Sequence, residues 1–360
     1  MSDMELQFYY DREERSTFYV NTVDVDFQHR FMPLERHEII WGLGYRYVDD
    51  KFEEAFSFSF EPDSRDTDLF SAFIQDEITL FPDRLRLTVG SKFEHNDFTG
   101  FEIQPNARIL WTPAENHSVW AAVSRAIRTP SQGEEDARII NGVVLPDTLF
   151  PGSPVAFVRL IGSDDFESEE LIAYEAGYRF RPIDRLSVDI AGFYNDYDNL
   201  RTIEPIGPFT FAADNKMEGE TYGVELAADW RPFDWWRLQA AYTYLQMELK
   251  LDADSGDSQS ERAEDEIPHH QASLRSSLEL PANLEMDLWL RYVDELPAQN
   301  VDDYVTPDVR VGWKPIKNLE VSLVGQNLLE NHHPEFRPEI LDTPAAEIER
   351  SVYGKITWRF

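Results

Sequence analysis

The sequence predicts an all-β fold, an antiparallel transmembrane β-barrel of about 16 strands, on three observations. A short turn marked by a proline and an apolar residue just before it, aromatic in six cases, recurs seven times along the chain. The segments flanking these turns alternate apolar and polar residues over about ten positions, the period of a strand with two different faces. The last such segment ends, on an aromatic residue, at Phe360.

The turns come first because they set the frame. Phe31-Met32-Pro33, Trp111-Thr112-Pro113, Phe180-Arg181-Pro182, Trp230-Arg231-Pro232 and Trp313-Lys314-Pro315 place an aromatic two residues before a proline. Phe81-Pro82 and Leu280-Pro281 are variants with the apolar residue adjacent. An Asp or Asn follows closely in most cases, and Pro with Asp or Asn is the chemistry of a tight turn. Between turns, Leu85, Leu87, Val89 and Phe93 alternate with Arg86, Thr88, Gly90 and Glu94. Leu284, Met286, Leu288 and Leu290 alternate with Glu285, Asp287, Trp289 and Arg291. Strands of about ten residues suit a tilted membrane crossing better than an average globular strand.

Counted from the turns, strands are expected at 4–11, 16–30, 36–48, 68–80, 84–95, 102–112, 117–127, 170–181, 185–197, 219–231, 235–250, 268–280, 284–293, 303–314, 318–328 and 349–360. One end of such a sheet carries only short turns and the other carries long, acidic connections. That asymmetry belongs to outer-membrane barrels, and the aromatic before each proline would form a girdle at the short-turn side.

Composition narrows the function. The 33 basic against 68 acidic residues argue against nucleic acid as a partner, because phosphate neutralisation needs clustered Lys and Arg. Zero cysteines remove disulfides and thiolate chemistry. No long apolar run is present for a transmembrane helix. The 24 Phe, 15 Tyr and 9 Trp are many for a chain with a mean hydropathy of −0.47, as lipid-facing strands around a wet interior require.

Five stretches, in order, resemble the TonB-dependent receptors of the Gram-negative outer membrane. They are Phe73-Ile74-Gln75-Asp76-Glu77, then Ser124-Arg125-Ala126-Ile127-Arg128-Thr129-Pro130, then Glu170 to Tyr178, then Gly325-Gln326-Asn327-Leu328-Leu329, and finally Tyr353 to Phe360. The resemblance implies that residues 1–360 correspond to the last 16 strands of a 22-stranded barrel. On that reading the signal peptide, TonB box and plug are absent and Met1 is a cut. It further implies uptake of a scarce nutrient, most often a ferric siderophore, bound at extracellular loops, with the TonB complex engaging through the missing part and outer-membrane lipid around the wall. A passive 16-stranded porin is the alternative, and a barrel remnant kept for adhesion is a third. The end of the chain is similar to the membrane-insertion signal of such barrels, carried by Tyr353, Gly354, Ile356, Trp358 and Phe360.

Candidate ligand residues are few. Arg125 and Arg128 stand at the start of the longest loop, where a cation would attract an anionic chelate; ion pairing with Glu134 or Glu175 is the competing use. That loop holds no histidine, which disfavours haem. Asp252 to Glu266 contains seven carboxylates but fails the calcium-loop spacing, so a solvated acidic loop is expected. His269-His270 and His332-His333 are adjacent and would point to opposite faces, so neither pair makes a metal site alone. No hydrolase, nucleotide or metalloprotease motif is complete. The chain is therefore expected to be no enzyme, with no cofactor and no metal.

Overall fold

The computed structural model describes residues 2–148, 150–337 and 346–360; Met1, where the sequence suggests a cut, lies outside them. In chain order the strands begin β1 (Ser2–Arg15), β2 (Phe18–Leu34), β3 (His37–Phe52), β4 (Phe58–Phe60), β5 (Ser64–Phe81), β6 (Leu85–Asn96) and β7 (Gly100–Ala114). They continue with β8 (His117–Arg128), β9 (Ala137–Val144), β10 (Ala156–Ile161), β11 (Glu169–Ile183), β12 (Leu186–Gly207), β13 (Thr210–Phe233) and β14 (Trp236–Leu251). The last are β15 (His270–Leu280), β16 (Leu284–Val293), β17 (Tyr304–Ile316), β18 (Leu319–Gln326), β19 (His332–Pro334), β20 (Glu347–Glu349) and β21 (Ser351–Trp358). A one-turn helix, α1 (Gln132–Glu135), lies between β8 and β9.

Sixteen of these strands form one antiparallel meander, each pairing with the next from β1 through β2, β3, β5–β8 and β11–β18 to β21. All sixteen expected segments fall on these strands. The hairpin β12–β13 runs well past its expected ends at 197 and 219, reaching Gly207 and Thr210. Its ladder survives that distance through register shifts beside Asn199, a residue with left-handed φ of 57°. Among the described residues β1 pairs only with β2 and β21 only with β18.

The turn end is built as the sequence suggests, with one correction. At the five aromatic-x-Pro sites the proline does not sit in the turn, whereas Pro82 and Pro281 do. At five hairpins the register shifts just after the aromatic, between Phe31 and Leu34, Trp111 and Ala114, Phe180 and Ile183, Trp230 and Phe233, and Trp313 and Ile316. The proline occupies that gap, where a missing N–H costs the ladder nothing. A two-residue loop then closes each hairpin. The two variant turns instead use left-handed residues, Asp83 (φ 59°) after Pro82 and Ala282 and Asn283 (φ 65° and 58°) after Pro281.

Register sorts the side chains onto two unlike faces. On β16 the residues Leu284, Met286, Leu288 and Leu290 share a face with Val309, Val311 and Trp313 of β17. The opposite face carries Glu285, Asp287, Arg291, Asp308, Arg310 and Lys314, and these are neutralised in place. Arg310 meets Glu285 at 3.2 Å and Asp287 at 3.1 Å and also reaches Glu320, while Arg291 meets Asp308 at 2.8 Å. One face therefore suits hydrocarbon and the other water.

Three aromatics stand over glycines on the polar face. Phe73 covers Gly42, Trp120 covers Gly177 and Phe193 covers Gly223, each pair directly cross-strand. A Cβ on Gly177 would lie 2.4 Å from the Trp120 indole nitrogen, so the flat ring needs a neighbour without a side chain. No helix among the described residues is long and apolar enough to cross a membrane, which says nothing of crossing by strands.

Candidate ligand-binding mouth

The long connections all lie at the end of the sheet opposite the prolines, and the longest of them is a folded strap. After β8 the chain turns through Ser131 into α1, runs out along β9, and returns along β10. Strand β4, from the β3–β5 connection, pairs antiparallel with β9 through Phe58↔Ile139 and Phe60↔Ala137. Strand β10 pairs antiparallel with β9 and parallel with the loop end of β13. The strap thus ties the β3–β5 connection to the β12–β13 hairpin.

Ion pairs fasten its helix. Glu134 follows Ser131 by three residues, the sequence spacing of a helix start, and its carboxylate accepts from the Ser131 N–H (2.9 Å) and hydroxyl (3.0 Å). Arg128 of β8 donates two hydrogen bonds to Glu134 (2.7 and 3.0 Å) and one to Glu169 of β11 (2.6 Å). Arg201 of β12 reaches the same Glu134 at 3.4 Å. On the other side Arg65 of β5 donates to Glu135 (2.7 Å) and Asp136 (2.9 Å), and Gln132 donates to Asp50 of β3. Glu134, Glu135 and Asp136 are all buried.

The electrostatics differ between the two acids. Burial pushes Glu134 up, but Arg128 and the Ser131 N–H outweigh it and hold the carboxyl below its ordinary range. Glu135 is pushed up by burial, and Arg65 does not fully compensate because Asp136 and Asp164 stand beside it. Glu135, Asp136 and Asp164 bring carboxylate oxygens within 4.8 Å of one another, with the Arg65 guanidinium as the counter-charge to the first two.

The two arginines singled out in the sequence have different surroundings. Arg128 is on the polar face, opposite Glu169, and its side chain is 45% exposed. Arg125 is opposite Ile172 on the apolar face, at a seam. Strands β7 and β8 pair from Ala114↔His117 to Asn106↔Ser124 and part beyond Pro105. Arg125 enters the gap, donating to the Ile103 carbonyl and to Glu170 (ion pair 2.7 Å), with Glu102 at 3.7 Å. Its partners are therefore Glu170 and Glu102, and Glu175 is not among them.

The acidic stretch Asp252 to Glu266 leaves Asp252, Asp254, Glu261 and Asp265 exposed, as a solvated acidic loop does, while several of its carboxylates also hold backbone N–H groups. Asp257 accepts from the backbone N–H of Ile203, Gln259 and Ser260, and Glu264 and Glu261 accept from the N–H of Leu249 and Leu251. These donors, with the Ser260 hydroxyl, outweigh burial and keep Asp257 below the usual carboxylate range. The histidines pack locally: His270 with Tyr242 at 2.8 Å, His332 with Glu347 at 2.8 Å, and His333 stacked on Tyr304 with ring centres 4.4 Å apart. Sequence reasoning found Arg128 and Glu134 but missed Arg65, Arg201, Glu135 and Asp136. The Ser131–Glu134 spacing was the available signal for the helix; the distant arginines gave none.

Comparison with known proteins agrees with this architecture. Residues 3–328 match the family model described as TonB dependent receptor-like, beta-barrel. The chain is 26% identical over 193 residues to an iron-regulated outer membrane virulence protein of Vibrio cholerae serotype O1, covering 50% of this chain and 28% of that protein. Among solved structures it is similar to the siderophore receptor PirA of Pseudomonas aeruginosa (TM-score 0.69, 16% identity, 99% of this chain and 59% of that one). It is also similar to the ferric enterobactin receptor PfeA of the same organism (TM-score 0.73, 16% identity, 95% and 54%). The FrpB iron transporter of Neisseria meningitidis gives a TM-score of 0.73 at 15% identity, over 95% and 55%. The chain thus spans little more than a quarter of its curated relative and a little over half of these structures.

Proposed function

The chain belongs to the TonB-dependent receptor β-barrel family of the bacterial outer membrane, and from that premise we propose that it serves TonB-driven uptake of a ferric siderophore captured at the strap-bridged mouth. The family is one of transport receptors and not of enzymes. The observation that carries the substrate is the kinship with an iron-regulated protein, supported by the folds of three iron-related receptors. Coupling to TonB is proposed for the whole protein, through segments outside these 360 residues.

Of the two arginines named from sequence, we assign Arg128 to the ligand and Arg125 to the wall. Arg128 faces the polar side at the mouth with nearly half its side chain open, so an anionic chelate can compete for it with Glu134 and Glu169. Arg125 is committed to Glu170 and to the backbone carbonyl of Ile103 on β7, contacts that an incoming ligand would have to break. We further propose that Tyr353, Gly354, Ile356, Trp358 and Phe360 are read by the outer-membrane insertion machinery.

Deleting the gene and measuring radioactive iron uptake from a panel of purified ferric siderophores under iron starvation tests the reading. Loss of uptake for one of them, restored by the intact gene and not by an Arg128→Ala copy, is the expected result. Unchanged uptake across the panel would set iron aside in favour of another nutrient.

A further inference from the structure

The sequence contains one asparagine followed by glycine, Asn141-Gly142, and the fold sets that pair at an interruption in the strap. Strand β9 pairs with β10 through Val144, Val143 and Gly142 on one side of a register shift, and through Ile140, Ile139 and Arg138 on the other. Asn141 is the residue left over. It has no opposite on β10, and the β4 ladder on the other edge of β9 ends at Ile139. A bulge residue is free of the ladder that would otherwise fix its backbone. The Asn141 side chain is exposed and has no hydrogen-bond partner among the described residues. Every other asparagine of the chain precedes a residue that carries a side chain.

We propose that Asn141-Gly142 is a site of spontaneous deamidation that loosens the tip of the strap. The backbone nitrogen of Gly142, having given its proton to base, attacks Cγ of Asn141. A bond forms between them, the Cγ–Nδ2 bond breaks, and the nitrogen takes up a proton and leaves as ammonia. Water then opens the cyclic imide at either carbonyl, giving aspartate or its β-linked isomer. Water is the one co-reactant, and no oxidant, reductant or enzyme enters. Glycine suits the attacking position because it has no Cβ to hinder the approach or to restrict the backbone as the ring closes.

Both products replace a neutral amide by a carboxylate, and the β-linked one also routes the main chain through the former side chain and so lengthens it. The added atom falls between the two halves of β9. The base half, Ala137 to Ile139, is held by β4 and follows Glu135 and Asp136, which Arg65 fastens to the wall. The tip half, Gly142 to Val144, is held among the described residues by Ala156 to Val158 of β10. A longer main chain at Asn141 therefore shifts the register of the tip and leaves the base docked. Such a site ages the strap at a rate set by the chain itself, whatever nutrient the receptor carries.

The test uses the whole receptor extracted from outer membranes, kept folded in detergent at mildly alkaline pH and sampled over days. Cleavage after arginine releases Ile139–Arg159, in which Asn141 is the one amide side chain, so a swap of NH2 for OH in that peptide reads this site alone. A steady gain of the acid form is expected, in two products resolved by chromatography with the β-linked one in excess. Amide exchange should quicken at 142–144 and 156–158 and stay unchanged at 137–139. Gly142→Ala should slow the gain about tenfold with the fold intact, since the added Cβ would meet Val158 at 3.5 Å, an ordinary contact. Retention of the amide in the folded receptor, whether or not the urea-unfolded chain loses it, would overturn the proposal. An equal rate in Gly142→Ala, or deamidation without faster exchange at the tip, would do the same. Asn141→Asp adds the charge without lengthening the chain and should leave exchange unchanged; equal loosening in that variant would overturn the register argument.

Discussion

At the scale of single residues, the strap depends on Glu134. Its carboxylate accepts from Arg128, from Arg201 and from the Ser131 backbone and hydroxyl, so no one partner is redundant with the others. Glu134→Ala should cost about 2 kcal/mol of local stability, after discounting for the solvent around Arg128. Faster amide exchange over 131–137, with the sheet unaffected, is the measurement. Gly162 makes a second prediction: a Cβ there would lie 2.1 Å from the Glu135 carbonyl oxygen. Backbone cannot yield as a side-chain tip would, so Gly162→Ala should undock α1 at roughly 1–3 kcal/mol. The pH dependence has two opposing signs. Glu134 is held down in the docked state, so its contribution is full above the ordinary carboxylate range and is lost as pH falls through its lowered value. Glu135 is pushed up, so its proton favours docking, and that support is lost as pH rises through its raised value. Protection of the strap should therefore be greatest in mild acid, and Glu135→Gln should abolish the decline toward neutral pH without changing the loss in strong acid.

At the scale of elements, the strands were legible because their alternation is long. Ten residues of period two are hard to produce by another fold, and the sixteen wall strands follow from them. The five short strands were not legible. Phe58–Phe60, His332–Pro334 and Glu347–Glu349 are three residues each, too short for a period, and β4 finds its partner β9 some 80 positions later in the chain. The extension of β12 to Gly207 was missed because Ile203-Glu204-Pro205-Ile206 contains a proline and lies past a left-handed Asn199, both of which read as strand ends. The prolines at the turn end misled by two positions, since aromatic-x-Pro marks the register shift before the turn and not the turn itself. Among the wall strands, the Gly177–Trp120 pair is the sharpest test of packing. Gly177→Val would drive Trp120 off the wall and away from Arg108, whose guanidinium lies 5.0 Å from its ring centre. A loss of about 1–3 kcal/mol is expected, seen as a lower unfolding midpoint in urea with lipid present.

At the scale of the whole molecule, the two end strands decide what these 360 residues do by themselves in a bilayer. Strand β1 is exposed along its whole length, and among the described residues it pairs on one side only, as β21 pairs only with β18. In water an unpaired strand edge is solvated, whereas in hydrocarbon each bare N–H or C=O costs several kcal/mol. Two bare edges crossing the membrane are therefore incompatible with stable insertion. The directions of the two strands permit a remedy. β1 leaves the turn end at Ser2, opposite Phe31, and β21 arrives there at Trp358, opposite Leu319, so the two run antiparallel. Their apolar faces also agree, with Leu6 and Phe8 on the same side of the sheet as Gly354 and Ile356. Isolated in lipid, the chain should close by pairing β1 with β21. The absence of native cysteine makes the test clean. Cysteines at Leu6 or Phe8, combined with cysteines at Val352 or Ile356, should give an oxidised bond within one chain in lipid and none in urea. Bonds only between chains would mean that a second molecule fills the edges. No bond in any combination, with β1 amides exchanging freely, would mean that the isolated wall does not insert.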